Sequence, residues 1–305
     1  MFARATRAGN REGMSAPVRP HDPAEAIQGR LVTAGPPRRL RAVPRRLARA
    51  VRSPLARVNP EPIVVLGNQK AGTSAIAALL GAATRRSVTL DLRNEQTAEP
   101  MFIGCRLGRA PFAELVRRNR LDFSRDIVKE PNLSLLYDDV LGHFPKARIA
   151  LVVRDPRDNI RSQLNWLRLR GDLADVAACR KRRLTTVQRT VMESDWLGLR
   201  AENYIDALAL RWNTIADVYL RHRAKVRLIR YEDFCVDKVG AVGRLAVELG
   251  IAVERDISAD VDRQYQPRGD RGASWLGFFG AENLSRITAR CADGMQTLGY
   301  GRSGH

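Results

Sequence analysis

Cysteine and histidine are scarce in this chain, with four of each in 305 residues. Cys105, Cys179, Cys235 and Cys291 stand far apart and form no C-x-x-C pair. That spacing argues against a disulfide framework and against structural zinc, and it suits a reducing cytosol. Aromatic residues make up only 6% of the chain, and the first sixty positions hold just one, Phe2. A base-stacking platform for nucleic acid is therefore not expected there. No apolar run approaches the roughly 20 residues needed to cross a bilayer, and the N-terminus lacks an apolar signal core. Neither a transmembrane helix nor secretion is expected, and the cytoplasm is the expected compartment. Acidic residues are also in short supply, with 33 Asp and Glu against 52 Lys and Arg, a net charge of +19.

That basic surplus is uneven. Residues 1–60 carry thirteen arginines against Glu12, Asp22 and Glu25. Residues 1–37, rich in Gly, Pro, Ala and Arg, show no sustained periodicity and are expected to be a partly disordered arm. From 40 to 55 a helical spacing emerges in Leu40, Val43, Leu47, Val51 and Leu55, with arginines between them. Such a basic amphipathic helix can lie peripherally on an anionic membrane surface such as the inner face of a cell membrane, pack on its own domain, or merely solubilise the arm. The length beyond it, 61–305, suits one α/β domain with a full core.

Within that domain the stretch Pro62 to Leu80 organises the rest. Ile63 to Leu66 is a short β-branched run that reads as a buried parallel strand. Gly67-Asn68-Gln69-Lys70-Ala71-Gly72 reads as a glycine-bounded turn, and Thr73 onward as a helix with Thr73 and Ser74 in its first turn. Strand, tight turn and helix N-terminus aim unpaired backbone N–H groups at one point, a place for an anion. The spacing departs from the nucleotide-triphosphate loop G-x-x-x-x-G-K-[ST], because threonine follows the second glycine and the lysine has moved into the turn at Lys70.

Further strands are expected near 87–92, 125–129, 148–153 and 225–230. Together with the first they make an α/β fold, P-loop-like and three-layered, with a central five-stranded, mainly parallel sheet flanked by helices. Ligand chemistry in such sheets gathers at the carboxyl ends of the strands. There the sequence places Glu95 and Glu99 after the second strand, Lys129-Glu130-Pro131 after the third, and Arg154-Asp155-Pro156 after the fourth. Asp158 is expected to cap the next helix. Arg154 and Ser162, about two turns along that helix, are placed to converge on one phosphate, arginine as a charged fork and serine as a short hydroxyl donor. Helices are also expected from Leu133 to His143, Leu173 to Val191, Tyr204 to His222 with Trp212 in the core, and after Glu232 through Leu249. Glu232 reads as a residue that caps or pins a helix end.

Lys70-Ala71-Gly72-Thr73-Ser74 resembles the 5′-phosphosulfate loop of sulfotransferases that use 3′-phosphoadenosine 5′-phosphosulfate (PAPS). The strand, Arg154, Asp-Pro and Ser162 resemble that family's 3′-phosphate segment, and Lys129-Glu130-Pro131 its Lys-x-Pro element. Arg268-Gly-Asp-Arg-Gly-Ala-Ser-Trp275 loosely resembles the loop that closes over the adenosine phosphates, one residue longer before Trp275 and without its acidic residue. The resemblance runs from about 61 to 300, ends in Leu298-Gly-Tyr300, and leaves residues 1–60 untouched.

It implies sulfuryl transfer from PAPS to a hydroxyl or amine, leaving adenosine 3′,5′-bisphosphate (PAP), with a carbohydrate, glycolipid or other small acceptor. It implies binding of that donor by Gly67, Gln69, Lys70, Ala71, Gly72, Thr73, Ser74, Arg154, Ser162, Arg268, Gly269, Arg271 and Gly272. No metal is called for. The carbohydrate-directed members point to Glu99 as general base, with Glu95 in reserve and Lys129 beside the acceptor. Two other classes stand against this reading: an ATP-dependent P-loop kinase, disfavoured by the displaced lysine and by Arg154 near the expected Walker B position, and a non-catalytic basic nucleotide- or nucleic-acid-binding protein, which leaves two phosphate motifs at strand ends unexplained.

Overall fold

The computed structural model describes residues 55–96, 99–172, 184–193, 195–265 and 272–301. Residues 1–54, with nearly all of the helix expected over 40–55, the first part of the helix expected over 173–191, and Arg268, Gly269 and Arg271 lie outside the described residues.

Five short runs rich in Val, Ile and Leu form the strands β1 (Ile63–Gly67), β2 (Val88–Leu90), β3 (Ile127–Lys129), β4 (Arg148–Val153) and β5 (Val226–Arg230). They pair in the order β2-β3-β1-β4-β5, and every pair is parallel. The sheet is buried on both faces, which is why β1 reads as an uninterrupted apolar run. Side chains alternate between two cores. Ile63, Val65, Ala150 and Val152 face the helices α1 (Thr73–Ala83) and α9 (Lys238–Glu248). Val64, Leu66, Leu151 and Val153 face α5 (Pro156–Leu167) and α7 (Tyr204–His222). Each buried Val, Leu and Ile among them stabilises the fold by about 1.5–3 kcal/mol.

The remaining helices are α10 (Trp275–Arg290), broken by non-helical backbone at Gly280, and the short α2 (Met101–Arg106), α3 (Phe112–Arg118), α4 (Tyr137–His143), α6 (Thr186–Met192), α8 (Tyr231–Val236) and α11 (Ala292–Thr297). Several expected boundaries shift for identifiable reasons. The segment before α4 is a 3-10 turn, Pro131–Leu136, whose N-cap is Glu130. The helix expected through Leu249 is two helices, because Asp237 turns the chain and caps α9 through Gly240 N. α5 is capped by Asp155 and not by Asp158, since Pro156 occupies the first helical position and Asp155 accepts from Arg157 N.

Two connections leave the sheet in opposite directions from neighbouring strands. From β1 the chain runs through α1 to the β2 edge, and from β4 through α5 and α7 to the β5 edge. The crevice between the carboxyl ends of β1 and β4 is the topological switch point, where such sheets bind ligands. In register, Gly67 at the end of β1 stands beside Val152 of β4, one residue before the end of that strand.

Candidate active site

At the switch point the β1–α1 turn takes left-handed backbone angles at Gly67, Lys70 and Gly72, with φ of 141°, 66° and 96°. No Cβ fits at either glycine. At Gly67 it would stand 2.6 Å from the Val152 carbonyl oxygen, and at Gly72 2.2 Å from the Tyr231 ring. Gly72 is the N-cap of α1, with no side-chain cap and no acidic residue in the first turn. An uncapped helix start of this kind offers its N–H groups and positive dipole end to an anion. Thr73 and Ser74, both buried, stand in that first turn. Lys70 is held below the ordinary lysine range, first by burial and then by the charges of Arg154 and Lys129. It is a cation placed where negative charge would relieve it.

Underneath, the loop rests on a buried polar frame. Arg211 of α7, 1% exposed, donates to Asn68 Oδ1 (3.3 Å), Gln69 Oε1 (2.9 Å), Asn132 Oδ1 (3.0 Å) and the Thr190 carbonyl (3.3 Å). Burial draws its pKa down to about 10 while the charge of Glu130 pulls it back up. Asn159 and Gln163 of α5 both donate to the Gln69 carbonyl, at 2.9 and 3.0 Å. Gln69 and Ala71 are buried, and the Gln69 side chain joins this frame through Asn132 and Arg211.

On the β4 side, Arg154 is 7% exposed and donates from Nη1 to the Lys70 carbonyl at 3.1 Å. Its guanidinium lies 4.7 Å from the centre of the Tyr231 ring, and its Nε is buried without an acceptor among the described residues. Arg154 and Ser162 line one open cleft together with Lys70, Gly72, Thr73 and Ser74. The two expected phosphate motifs thus meet in one cavity. Beside it Glu232 pins the strand end, accepting from Asp155 N (2.9 Å) and from the Tyr300 hydroxyl (2.8 Å). Trp275 stacks on Arg157 at 3.9 Å and donates to Asp158 Oδ1 at 2.9 Å, while Arg161 donates to the Ala273 carbonyl at 2.7 Å. The end of the glycine-arginine loop, with Gly272 exposed, is therefore fastened to the helix that carries Ser162.

On the β3 side, Lys129 is buried and its Nζ is paired with Asp91 Oδ1. Glu130 is buried as well, accepting from Leu92 N, Asn132 N and Asn132 Nδ2. Burial and the neighbouring Asp91 charge push it up to about 7, against the pull of Lys129 and of the N–H donors. Glu95 is committed elsewhere: at 2% exposure it accepts from Met101 N (2.5 Å), Phe102 N (3.4 Å) and Asn119 Nδ2 (2.9 Å). It caps α2 from inside the protein. Glu99 stands exposed in the same loop. Among the described residues no group of three or more His, Cys, Asp or Glu could hold a metal ion. No described helix is long and apolar enough to cross a membrane.

The sulfotransferase domain profile matches residues 60–266, from just before β1 through the cleft-lining segment that ends at Tyr265. The chain belongs to the sulfotransferase domain family. It matches no curated protein. Among solved structures it is similar to the sulfotransferase STF9 of Mycobacterium avium, at 15% identity over 84% of this chain and 81% of that one, with a TM-score of 0.49. Others are a sulfotransferase of Alicyclobacillus acidocaldarius (18% identity, 76% and 96% covered, TM-score 0.42) and mouse SULT7A1 in complex with PAP (15%, 83% and 90%, 0.46).

Several residues of this sulfotransferase site were not singled out in the sequence. Tyr231 walls both Gly72 and Arg154. Lys238, Arg263 and Tyr265 line the cleft from α9 and from the segment after it. Arg211 carried a usable signal: Leu208, Arg211, Trp212 and Ile215 share one helical face, so an arginine there is buried and must find partners.

Proposed function

We propose that this sulfotransferase moves the sulfuryl group of PAPS to a hydroxyl or amine of a carbohydrate, glycolipid or other small acceptor, with PAP as the second product. The observation that carries the donor is the meeting of two separate anion-binding sets in one cleft. The uncapped start of α1 with Lys70 suits the 5′-phosphosulfate. Arg154 and Ser162 suit a second phosphate on the ribose, and the buried Arg154 Nε without an acceptor fits an unmet demand for negative charge.

In this reading Lys70, Thr73, Ser74 and the N–H groups of the α1 start stabilise the charge that grows on the departing 5′-phosphate oxygen, an electrostatic role of the oxyanion-hole kind. Arg154 and Ser162 orient the donor, and Arg268, Gly269, Arg271 and Gly272 close over its adenosine end. Lys129 is a cation beside the acceptor. The proton must go to a carboxylate at the strand ends, for which the family resemblance offers Glu99. The carbohydrate acceptor is supported by the Lys129-Glu130-Pro131 element and the acidic loop at 93–102, features shared by resemblance with carbohydrate-directed members. The arginine-rich 40–55 segment supports peripheral contact with an anionic membrane where glycolipids are found.

Calorimetry with PAP, ATP plus Mg²⁺, and an oligonucleotide tests the donor. Tight binding of PAP alone is expected, whereas preference for ATP would return the chain to the kinases. Mass spectrometry of metabolite extracts incubated with enzyme and PAPS then finds the acceptor by the gain of one sulfuryl group.

A further inference from the structure

We infer that Asp91, held by Lys129 at the carboxyl end of β2, is the general base that takes the acceptor's proton. The inference rests on the sulfotransferase reading above and names a catalytic residue within it.

Leu90 is the last residue of β2 and pairs with Lys129 of β3, which in turn stands beside Val65 of β1. Asp91 therefore leaves the sheet at the same edge as the anion loop, two strands away. Adjacent strands are about 4.8 Å apart, so Asp91 stands about 10 Å across the sheet from β1, with Lys129 on the strand between them. Its backbone is left-handed, with φ of 68°, a conformation that non-glycine residues adopt at a cost. Its N–H donates to the Lys129 carbonyl at 2.8 Å. This turn ends the strand after Leu90 and swings the carboxylate onto Lys129 Nζ. Among the described residues only Lys129 bonds to that carboxylate, through Oδ1, and the side chain keeps 36% of its surface open. One oxygen is thus fixed and the other is available. Lys129 stands on the strand between Asp91 and the anion loop, and its charge reaches Lys70.

The other carboxylates of this edge are spent or less constrained. Glu95 caps α2, Glu130 caps the 3-10 turn after β3, and Glu99 is exposed in the loop just before α2. A base must be held within hydrogen-bond reach of the proton it takes, and a group fixed by strand end and buried lysine meets that demand best. In the step, the acceptor oxygen forms a bond to sulfur and its proton passes to Asp91 Oδ2. The bond from sulfur to the bridging oxygen breaks, and its electron pair stays on the 5′-phosphate. Lys129 keeps its charge throughout and orients the carboxylate.

Asp91→Asn is the test, because asparagine tolerates the left-handed conformation and still offers Lys129 an oxygen. Two reactions are compared. In hydrolysis of PAPS to PAP and sulfate, water is the acceptor and must lose a proton. In transfer from p-nitrophenyl sulfate to PAP, p-nitrophenolate leaves without one. Asp91→Asn is expected to lower hydrolysis by about 10²–10⁴-fold, to lower the exchange at least tenfold less, and to leave PAP affinity by calorimetry within about twofold. Equal losses in both reactions, or weakened PAP binding, would make Asp91 structural and overturn the proposal. So would hydrolysis that survives Asp91→Asn but falls in Glu99→Gln. A wild-type protein that binds no PAP and catalyses neither reaction refutes the sulfotransferase reading itself, a result separate from the other three.

Discussion

Replacing Arg154 with alanine separates a second phosphate from mere support of the loop, because the side chain has two measurable tasks. It donates to the Lys70 carbonyl at 3.1 Å, which holds the loop whatever the ligand. It also lines the cleft with Ser162, where only a ligand phosphorylated on the ribose has use for it. Loss of the loop contact is worth about 1 kcal/mol, or about fivefold in affinity, and falls equally on every anion bound there. Loss of the charge-assisted bond to the 3′-phosphate is worth about 1.5–3 kcal/mol, or about tenfold to a hundredfold. Calorimetry on Arg154→Ala should therefore show PAP weakened by about 50- to 500-fold and adenosine 5′-phosphosulfate by only about fivefold. The ratio isolates the second phosphate, since the loop term cancels. Equal loss for the two nucleotides would mean that Arg154 serves the fold alone, and the 3′-phosphate assignment would fall.

Lys70→Ala should lower turnover by about 10²–10³-fold, the usual worth of a lost oxyanion donor, with a smaller effect on PAP affinity; equal effects on both would refute that role. Because burial and neighbouring cations hold Lys70 below 10.5, bound phosphates should raise it again. PAP binding then takes up a proton at alkaline pH, and calorimetry in buffers of different ionisation enthalpy should detect the uptake in wild type but not in Lys70→Ala. Glu130, raised from 4.5 to about 7, binds its proton more tightly when folded, so it withdraws stability as pH rises through that window. Denaturant titrations should show wild type losing on the order of 3 kcal/mol relative to Glu130→Gln between about pH 4.5 and 7, and parallel curves would show that Glu130 is already ionised there.

Much of this architecture is legible in the sequence because buried parallel strands are written as β-branched runs, and β1 and β4 are such runs. Glycine spacing marks the loop for a similar reason: Gly67 and Gly72 stand where no Cβ fits. The strand-end rule puts Arg154 and Ser162 on the loop's side of the sheet, and the family resemblance singles them out. Asp155 could have been recognised as the α5 cap from Pro156 behind it, yet the eye goes to Asp158, which instead receives the Trp275 N–H. Burial of single polar residues is harder to read. Glu95 and Glu99 look alike in sequence, but Asn119, far along the chain, claims one of them. Asp91 reads as the continuation of an alternating strand, and only the left-handed turn at that residue shows that the strand has ended.

The polar frame beneath the loop explains why an anion site forms here at all. A peptide unit has two ends, and N–H groups can face a ligand only if the opposing carbonyls are satisfied on the protein side. In this loop they are. The Gln69 carbonyl receives Asn159 and Gln163, and the Lys70 carbonyl receives Arg154. Asn68 and Gln69 are held by their side chains through Arg211. Burying that guanidinium costs several kcal/mol, offset by its four acceptors and by the nearby Glu130 charge. The return is a loop whose dipoles point outward before any ligand arrives, which spares the reaction the cost of turning them as charge develops. Residues that need never touch the donor, on α5 and α7, thereby determine how well the loop can hold it.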